Sequence, residues 1–311
     1  MTTLKRMVKP PPLRPGDRVG VVAPAGAVES EPLLRGCDAL RQMGYEPVYD
    51  GAILGRELYF AGTAARRARE LETMFVREDV RAILCARGGY GCNYLLPLID
   101  PEIIRRHPKI FAGYSDVTTL LTWFHDAAGL VTFHGPMVAK DFASPQGVEV
   151  ASWLAQMTGQ GLPAAARLTP LIPGKAEARL YGGCLSLLAA SLGTPYEIQT
   201  EETILLVEDV AAKPYQIDRL LMQLKLAGKL KGVKGIVFGT MRDCGPPPES
   251  GYTLPDVLRR AMEELGIPVA FGLNSGHVEC GNLTLALGPR VSLTVDGGAA
   301  VLTALESAVA I

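Results

Sequence analysis

The chain has 311 residues, and its 31 basic against 32 acidic side chains leave a formal net charge of 31 − 32 = −1. That balance, with no basic block, excludes the electrostatic footprint of a nucleic-acid-binding protein. Hydrophobic residues make up 48% of the chain, but no charge-free apolar run reaches the ~18 residues a membrane span needs. The length exceeds one ordinary core and predicts two domains.

The first residues, "MTTLKRMVKPPPLRPGD", carry charge and four prolines but no apolar stretch of the secretory type. Six scattered cysteines (Cys37, Cys85, Cys92, Cys184, Cys244, Cys280) form no CxxC pair. They read as reduced thiols of a cytoplasmic protein rather than a disulfide framework. "DRVGVVAPAG" then predicts a buried strand from Arg18 to Ala23 entering a Pro/Gly loop. A helix follows, with Ser30 at its cap and Gly44 as its stop, and then a strand around Pro47 to Tyr49. The pattern repeats: helix Thr63 to Val76, strand Ala82 to Ala86, glycine loop, helix Cys92 to Leu98, strand Lys109 to Ala112, helix Asp116 to His125. Such alternation predicts a parallel α/β sheet covered on both faces, with ligands collecting at the carboxyl ends of its strands.

Between residues 144 and 178 the text turns rich in Pro, Gly and Ala, and predicts a linker carrying one short helix. Beyond it, "TILLVEDV", "KGIVFGTM", "TLALG" and "RVSLTVDGGAAVLT" read as strands, the last with an Asp-Gly-Gly hairpin turn. Helical patterns at Pro214–Gly228 and Leu254–Leu265 separate them. The expected division is 1–143, an α/β domain, then the linker, then 179–311, a second domain richer in β structure.

Two stretches fall at strand ends where chemistry collects. In "GYSD", Ser115 has two readings: a helix cap, or a hydroxyl raised on a tight strand-turn-helix bend above the sheet, with Asp116 suiting the positive end of the helix. A serine nucleophile needs a base, and the chain has four histidines, His107, His125, His134 and His277. His107 lies in a charged turn. His125 is ten residues along the same helix, roughly 15 Å away by helix rise, and out of reach. His134, in "TFHGPM", either lines the cleft and binds substrate or packs in the core. His277, in the small and polar loop "GLNSGHVECGN", is the first choice as base. An orienting carboxylate is offered by Glu208 or Asp209 at the end of an apolar strand. In "CARGGYGCNYLL", the amides of Gly88 or Gly89, joined by that of Asp116, suit an oxyanion hole better than a phosphate cradle, because no GxxxxGK[ST] is present. Arg87 either holds a substrate carboxylate or pairs with a surface acid, and Tyr114 joins it as a possible substrate contact. No metal-ligand spacing occurs, so no metal is expected. Cys184, after two glycines at a helix start, is the rival nucleophile.

Seven blocks carry a resemblance: "ARGGYGCNYLLPLID", "KIFAGYSDVTTLL", "TFHGPM", "YGGCLSLLAASLGTPY", "ILLVEDV", "KPYQIDRLLMQL" and "SGHVECGNLTLALG", in this order from residue 86 to 288. Together they resemble the LD-carboxypeptidase family of serine peptidases, which includes murein tetrapeptide carboxypeptidases and microcin C7 immunity peptidases. The resemblance implies Ser115 as nucleophile, Glu208 as acid and His277 as base. It also implies a first domain like a class I glutamine amidotransferase, a swivelling C-terminal β/α domain, a homodimer and no metal, and no cofactor is expected. The implied reaction is release of D-alanine from a murein tetrapeptide in peptidoglycan recycling. A peptidyl-nucleotide immunity peptidase and a non-catalytic binder of peptidoglycan fragments are the alternatives. The chain departs from the family at Cys184, where asparagine is usual, and at "AAKPY", where an acidic residue commonly precedes Pro-Tyr.

Overall fold

Two sheets, set by two kinds of strand, organise residues 7–159 and 168–311, which a computed structural model describes. The first is built from β1 (Arg18–Val22), β2 (Glu46–Val48), β3 (Val80–Cys85), β4 (Ile110–Gly113) and β5 (Thr132–His134), all parallel. β1, β3 and β4 are near-continuous apolar runs because helices cover both of their faces. The helices of this half are α1 (Ser30–Gln42), α2 (Ala64–Val76), α3 (Pro101–Arg106) and α4 (Thr118–Trp123). Thr63 caps α2 by accepting from the Arg66 amide at 3.2 Å, and Ala68, Leu71 and Phe75 form its buried stripe.

The second half begins with α5 (Val150–Thr158), then β6 (Thr169–Ile172), β7 (Gly174–Cys184), α6 (Leu185–Ala190), β8 (Thr203–Glu208), α7 (Pro214–Leu226), β9 (Gly235–Gly239), α8 (Leu254–Met262) and β10 (Val269–Leu273). It ends with β11 (Leu285–Leu287), β12 (Arg290–Val295) and β13 (Ala300–Ala304). β7, β8, β9 and β10 are parallel, and antiparallel β6, β12 and β13 extend this sheet on its two sides. The Asp-Gly-Gly turn joins β12 to β13, with Asp296 Oδ1 accepting from the Gly298 and Ala299 amides at 2.9 and 2.7 Å.

Several expectations need correction. The linker over 144–178 contains α5, β6 and the first part of β7, while its middle, 160–167, lies outside the described residues. The long β7 was unread because its "GKAEARLYGGC" mixes charge and glycine on a strand with one exposed end. The helix expected over Cys92–Leu98 is only a short turn at Cys92–Tyr94, since Pro97 disfavours helical backbone at Leu96. The helix forms instead as α3, where Asp100 accepts from the Glu102 amide and Pro101 fits the first turn. Ser30 is the first residue of α1 rather than its cap, which is Glu29. Finally, β11 leaves the second half altogether and pairs antiparallel with β5.

The halves share a core. One buried cluster runs from Phe75, Ile83 and Phe111 through Leu120, Leu121 and Phe124 to Leu180, Leu206 and Val237 of the second sheet. Tyr181 Oη donates to Asp126 Oδ2 at 2.7 Å, and the Cys184 amide to Thr118 Oγ1 at 3.0 Å, so β7 is tied to the start of α4 and to the helical turn that follows it.

Candidate active site

β4 ends at Gly113, and the chain turns through Tyr114 into a short helical turn that leads to α4. At the turn Ser115 has φ +63°, a left-handed conformation that costs a residue with a Cβ energy unless its surroundings impose it. The cap position ahead of this turn is Tyr114, and Ser115 is the turn's first residue. Its Oγ stands 3.0 Å from His277 Nε2. His277 Nδ1 is 2.7 Å from Glu208 Oε2, and the same oxygen accepts from the His277 amide at 3.1 Å. Glu208 is the last residue of β8, and His277 lies in the loop between β10 and β11, so three strand ends converge here. Gly276 has φ +97°, and a Cβ there would meet Glu208 Oε2 at 2.4 Å. Only glycine lets the backbone beside His277 lie against the Glu208 carboxylate.

Burial alone pushes the Glu208 carboxyl toward its neutral form, but the neighbouring imidazoles, His277 hydrogen-bonded to it and His134 facing it, outweigh burial and bring its pKa down to about 2. The acid is therefore ionised throughout the range in which an imidazole titrates. Asp209, the other carboxylate at this strand end, turns away: Oδ2 accepts from the Ser186 amide at 2.9 Å and from Ser186 Oγ at 2.7 Å, at the start of α6.

The glycine loop after β3 lies across the elbow. A Cβ on Gly88 would come within 2.8 Å of Ser115 Cβ and 3.0 Å of its Oγ, and within 3.5 Å of the Asp116 amide nitrogen. The Gly88 carbonyl accepts from the Gly26 amide at 3.1 Å. Among the described residues, the amides of Gly88, Gly89 and Asp116 donate to no protein acceptor. The loop is held from below. Asp116 Oδ2 accepts from the Cys92 amide at 2.8 Å, and Arg67 of α2 donates from Nη1 to Gly91 O at 2.8 Å and also to Pro24 O. Both side chains are buried, and burial raises the Asp116 pKa against the amides of Cys92 and Gly91.

A cavity of about 370 Å³ opens over Ser115 and His277, lined also by Arg87, Gly88, Gly89 and Lys140. Arg87 is exposed and donates to Ala27 O at 3.1 Å rather than to a carboxylate. Tyr114 packs its ring edge on the His277 ring, centroids 5.1 Å apart, and its hydroxyl accepts from Lys140 Nζ at 2.6 Å. Lys140 was not singled out in the sequence, although it follows the strand end at His134, the kind of position already suspected at Ser115. His134 does not line the cavity, which corrects its assignment to the substrate: it is fully buried because β5 is covered by β11 and the segment leading to it. His107 sits beside Lys109 on another face, and His125 bonds Asp126 and packs on Tyr181. The Cys184 thiol is buried and its pKa is raised well above the ordinary value by that burial, so it is no nucleophile of the exposed kind.

A serine, an imidazole and a carboxylate in line beside open amides is an arrangement suited to acyl transfer. Residues 19–135 match the N-terminal domain of the LD-carboxypeptidases, peptidase family S66, and residues 177–293 match the family's C-terminal domain. The chain belongs to this family. A probable murein peptide carboxypeptidase of Bacillus subtilis is 38% identical over 311 residues, covering 97% of this chain and 93% of that one. Among solved structures, MccF in complex with glutamyl sulfamoyl guanosine superimposes with a TM-score of 0.87 at 25% identity, over 97% of this chain and 99% of that one. The muramoyltetrapeptide carboxypeptidase of Oxalobacter formigenes gives 0.84 at 29% identity, over 92% and 98%. The two-domain architecture of the family thus extends over nearly the whole chain. No helix among the described residues is long and apolar enough to cross a membrane.

Proposed function

We propose that this LD-carboxypeptidase hydrolyses the amide between an L-configured centre and a C-terminal D-amino acid, releasing D-alanine from murein tetrapeptide during peptidoglycan recycling. The observation that carries the proposal is the line from Ser115 Oγ to His277 Nε2 at 3.0 Å and from His277 Nδ1 to Glu208 Oε2 at 2.7 Å, with Ser115 and His277 lining the cavity and Glu208 buried behind them. His277 takes the Ser115 proton as Oγ attacks the scissile carbonyl, and Glu208 holds the imidazolium that forms. The amides of Gly88 or Gly89 and of Asp116 receive the developing oxyanion. His277 then gives its proton to the leaving amine, and water, activated by the same imidazole, clears the acyl-enzyme. Arg87 is the cation for the free carboxylate of the leaving D-amino acid, with Tyr114 and Lys140 forming the wall opposite. No metal or cofactor is required by this sequence of steps.

The first half is similar in this reading to a class I glutamine amidotransferase domain, and the second half swivels on it, the enzyme working as a cytoplasmic homodimer. Light scattering after gel filtration checks the dimer, with a monomer mass overturning it. The decisive assay is incubation with murein tetrapeptide and mass spectrometry of the products. Loss of one D-alanine is expected from the wild type and none from Ser115→Ala; full turnover by that variant would sink the assignment. The likeness to MccF in complex with an acyl sulfamoyl nucleotide favours a second reading, hydrolysis of peptidyl nucleotides. Side-by-side kcat/KM on the two substrate types separates them.

A further inference from the structure

Glu208 has two oxygens, and the proposed triad uses one. Oε2 takes both donors of His277. Oε1 is buried, has no hydrogen-bond partner, and faces His134 Nε2 at 3.7 Å, itself buried and unpartnered. The exposures of these residues are 1% and 0%. Such a pair is too far apart for a hydrogen bond but has no other group to answer either atom.

The proton on His134 can be located from its other nitrogen. Nδ1 stands 3.0 Å from Ser275 Oγ, and the single proton of that hydroxyl has an acceptor in Leu283 O, also at 3.0 Å. If Ser275 donates to Leu283, Nδ1 must carry a proton, and an imidazole neutral at Nε2 would aim a lone pair at a buried carboxylate. That arrangement is repulsive, so Nε2 is protonated too. If Ser275 instead donates to Nδ1, the neutral ring already has its proton on Nε2. Both cases put a proton between His134 and Glu208.

We propose that His134 is a positioning residue: its Nε2–H faces Glu208 Oε1 and holds the carboxylate so that Oε2 stays on His277. The triad is then the exposed part of a four-residue line, Ser115–His277–Glu208–His134, anchored through Ser275 to the Leu283 carbonyl. This rests on the serine-peptidase reading only for its kinetic consequence. The ionisable groups around the pair are His277 from the loop after β10, Tyr114 from the elbow, with its ring centroid 6.0 Å from that of His134, and Cys184, which pairs with Glu208 across β7 and β8. Asp141 and Lys140 stand behind Tyr114.

Asparagine and glutamine divide the two ring nitrogens between them. His134→Asn keeps a polar group near Ser275 and removes the donor facing Glu208, whereas His134→Gln places an amide N–H near the Nε2 position. On murein tetrapeptide, His134→Asn should lower kcat up to about 100-fold with KM nearly unchanged, the effect of a carboxylate free to shift by about 1 Å. His134→Gln should recover most of it. In His134→Asn the less compensated carboxylate favours protonated His277, so the acid limb of kcat/KM should move to higher pH. Both variants reducing activity equally, with lower Tm and an unmoved limb, would mean that His134 only fills space, and wild-type kcat in His134→Asn would overturn the proposal directly. Nitrogen-15 NMR of the histidine-labelled wild-type chain decides the tautomer without any assay: a proton on His134 Nε2 is expected, and a proton on Nδ1 alone overturns it. Ser115→Ala assayed in parallel keeps the two ideas apart. If that variant retains turnover the serine mechanism fails, while the NMR result still stands or falls alone.

Discussion

The carboxyl ends of β4 and β8 use consecutive residues in the same way but stabilise them by different means. At β4, Ser115 faces the cavity and Asp116 turns back to the Cys92 amide beneath the glycine loop. At β8, Glu208 faces His277 and Asp209 turns to Ser186 at the start of α6. In each pair one side chain points at the site and its neighbour secures the element beside it. The Ser115 end holds a strained backbone, φ +63°, whereas the Glu208 end has ordinary strand geometry and holds a buried charge. Strain at the first is local and is imposed by packing; charge at the second is answered by side chains from β5 and the β10–β11 loop. The Ser115 end should therefore respond to changes of shape and the Glu208 end to changes of charge.

The sharpest break is Glu208→Gln, which keeps shape and removes charge. By the behaviour of serine triads, kcat should fall about 10⁴-fold, and calorimetry at neutral pH should show a lower Tm, because the amide lacks the charge that the two imidazoles stabilise. Asp116→Ala attacks the other end through its loop. It leaves the buried Cys92 amide unsatisfied, at a cost of about 1–3 kcal/mol, measurable in urea unfolding, and kcat should drop as Gly88 and Gly89 lose their support. Asp209→Ala removes the acceptor of Ser186 at the start of α6 and of the Val210 amide. A capping loss of roughly 1 kcal/mol is expected, with kcat nearly unchanged; a large fall in kcat there would erase the proposed division between adjacent carboxylates.

The pH dependence separates the ends further. Glu208 has a folded pKa of about 2, below the ordinary 4.5. Its stabilising contribution is present above the unfolded value and is lost as pH falls through the folded one. The kcat/KM profile should accordingly show no carboxylate limb from Glu208 between pH 4 and pH 7, checked on a tetrapeptide across ~0.5-unit steps. The smallest effect is expected at Cys184. Its thiol is buried and held in its protonated form, so Cys184→Ala should leave kcat near wild type, and iodoacetamide should label the native chain at exposed Cys280 rather than at Cys184.

The alternating strands and helices of the first half were legible because each parallel strand is a short apolar run bounded by a loop of Gly or Pro. The proposed triad of Ser115, Glu208 and His277 drew notice for a related reason: Ser115 and the Glu208/Asp209 pair sit where such runs end, only four histidines compete for the role of base, and the choice of Glu208 came with the family resemblance. What could not be read was contact between distant segments. His134 and Lys140 lie within seven residues of each other, yet one is sealed under β11 and the other lines the cavity, a difference decided by a strand about 150 residues downstream. β5, β6 and β10 are three to five residues long, so too few alternations were present to mark them against the turns around them, whereas β11 was legible in "TLALG" but its partner was not. The Asp116 side chain was likewise read only as a helix-terminus charge, because its partner amide at Cys92 is 24 residues away and carries no signature of its own.

The pairing of β11 with β5 has a consequence for how the chain is made. Leu285, Ala286 and Leu287 close one side of a sheet whose other strands are complete by residue 134. On the ribosome that sheet stays unfinished while about 150 further residues emerge, with the backbone of β5 an open edge of the kind that recruits foreign strands. A fragment stopping at residue 143 would keep that edge for good and should aggregate, whereas adding 274–288 as a separate peptide should restore solubility by supplying the missing strand.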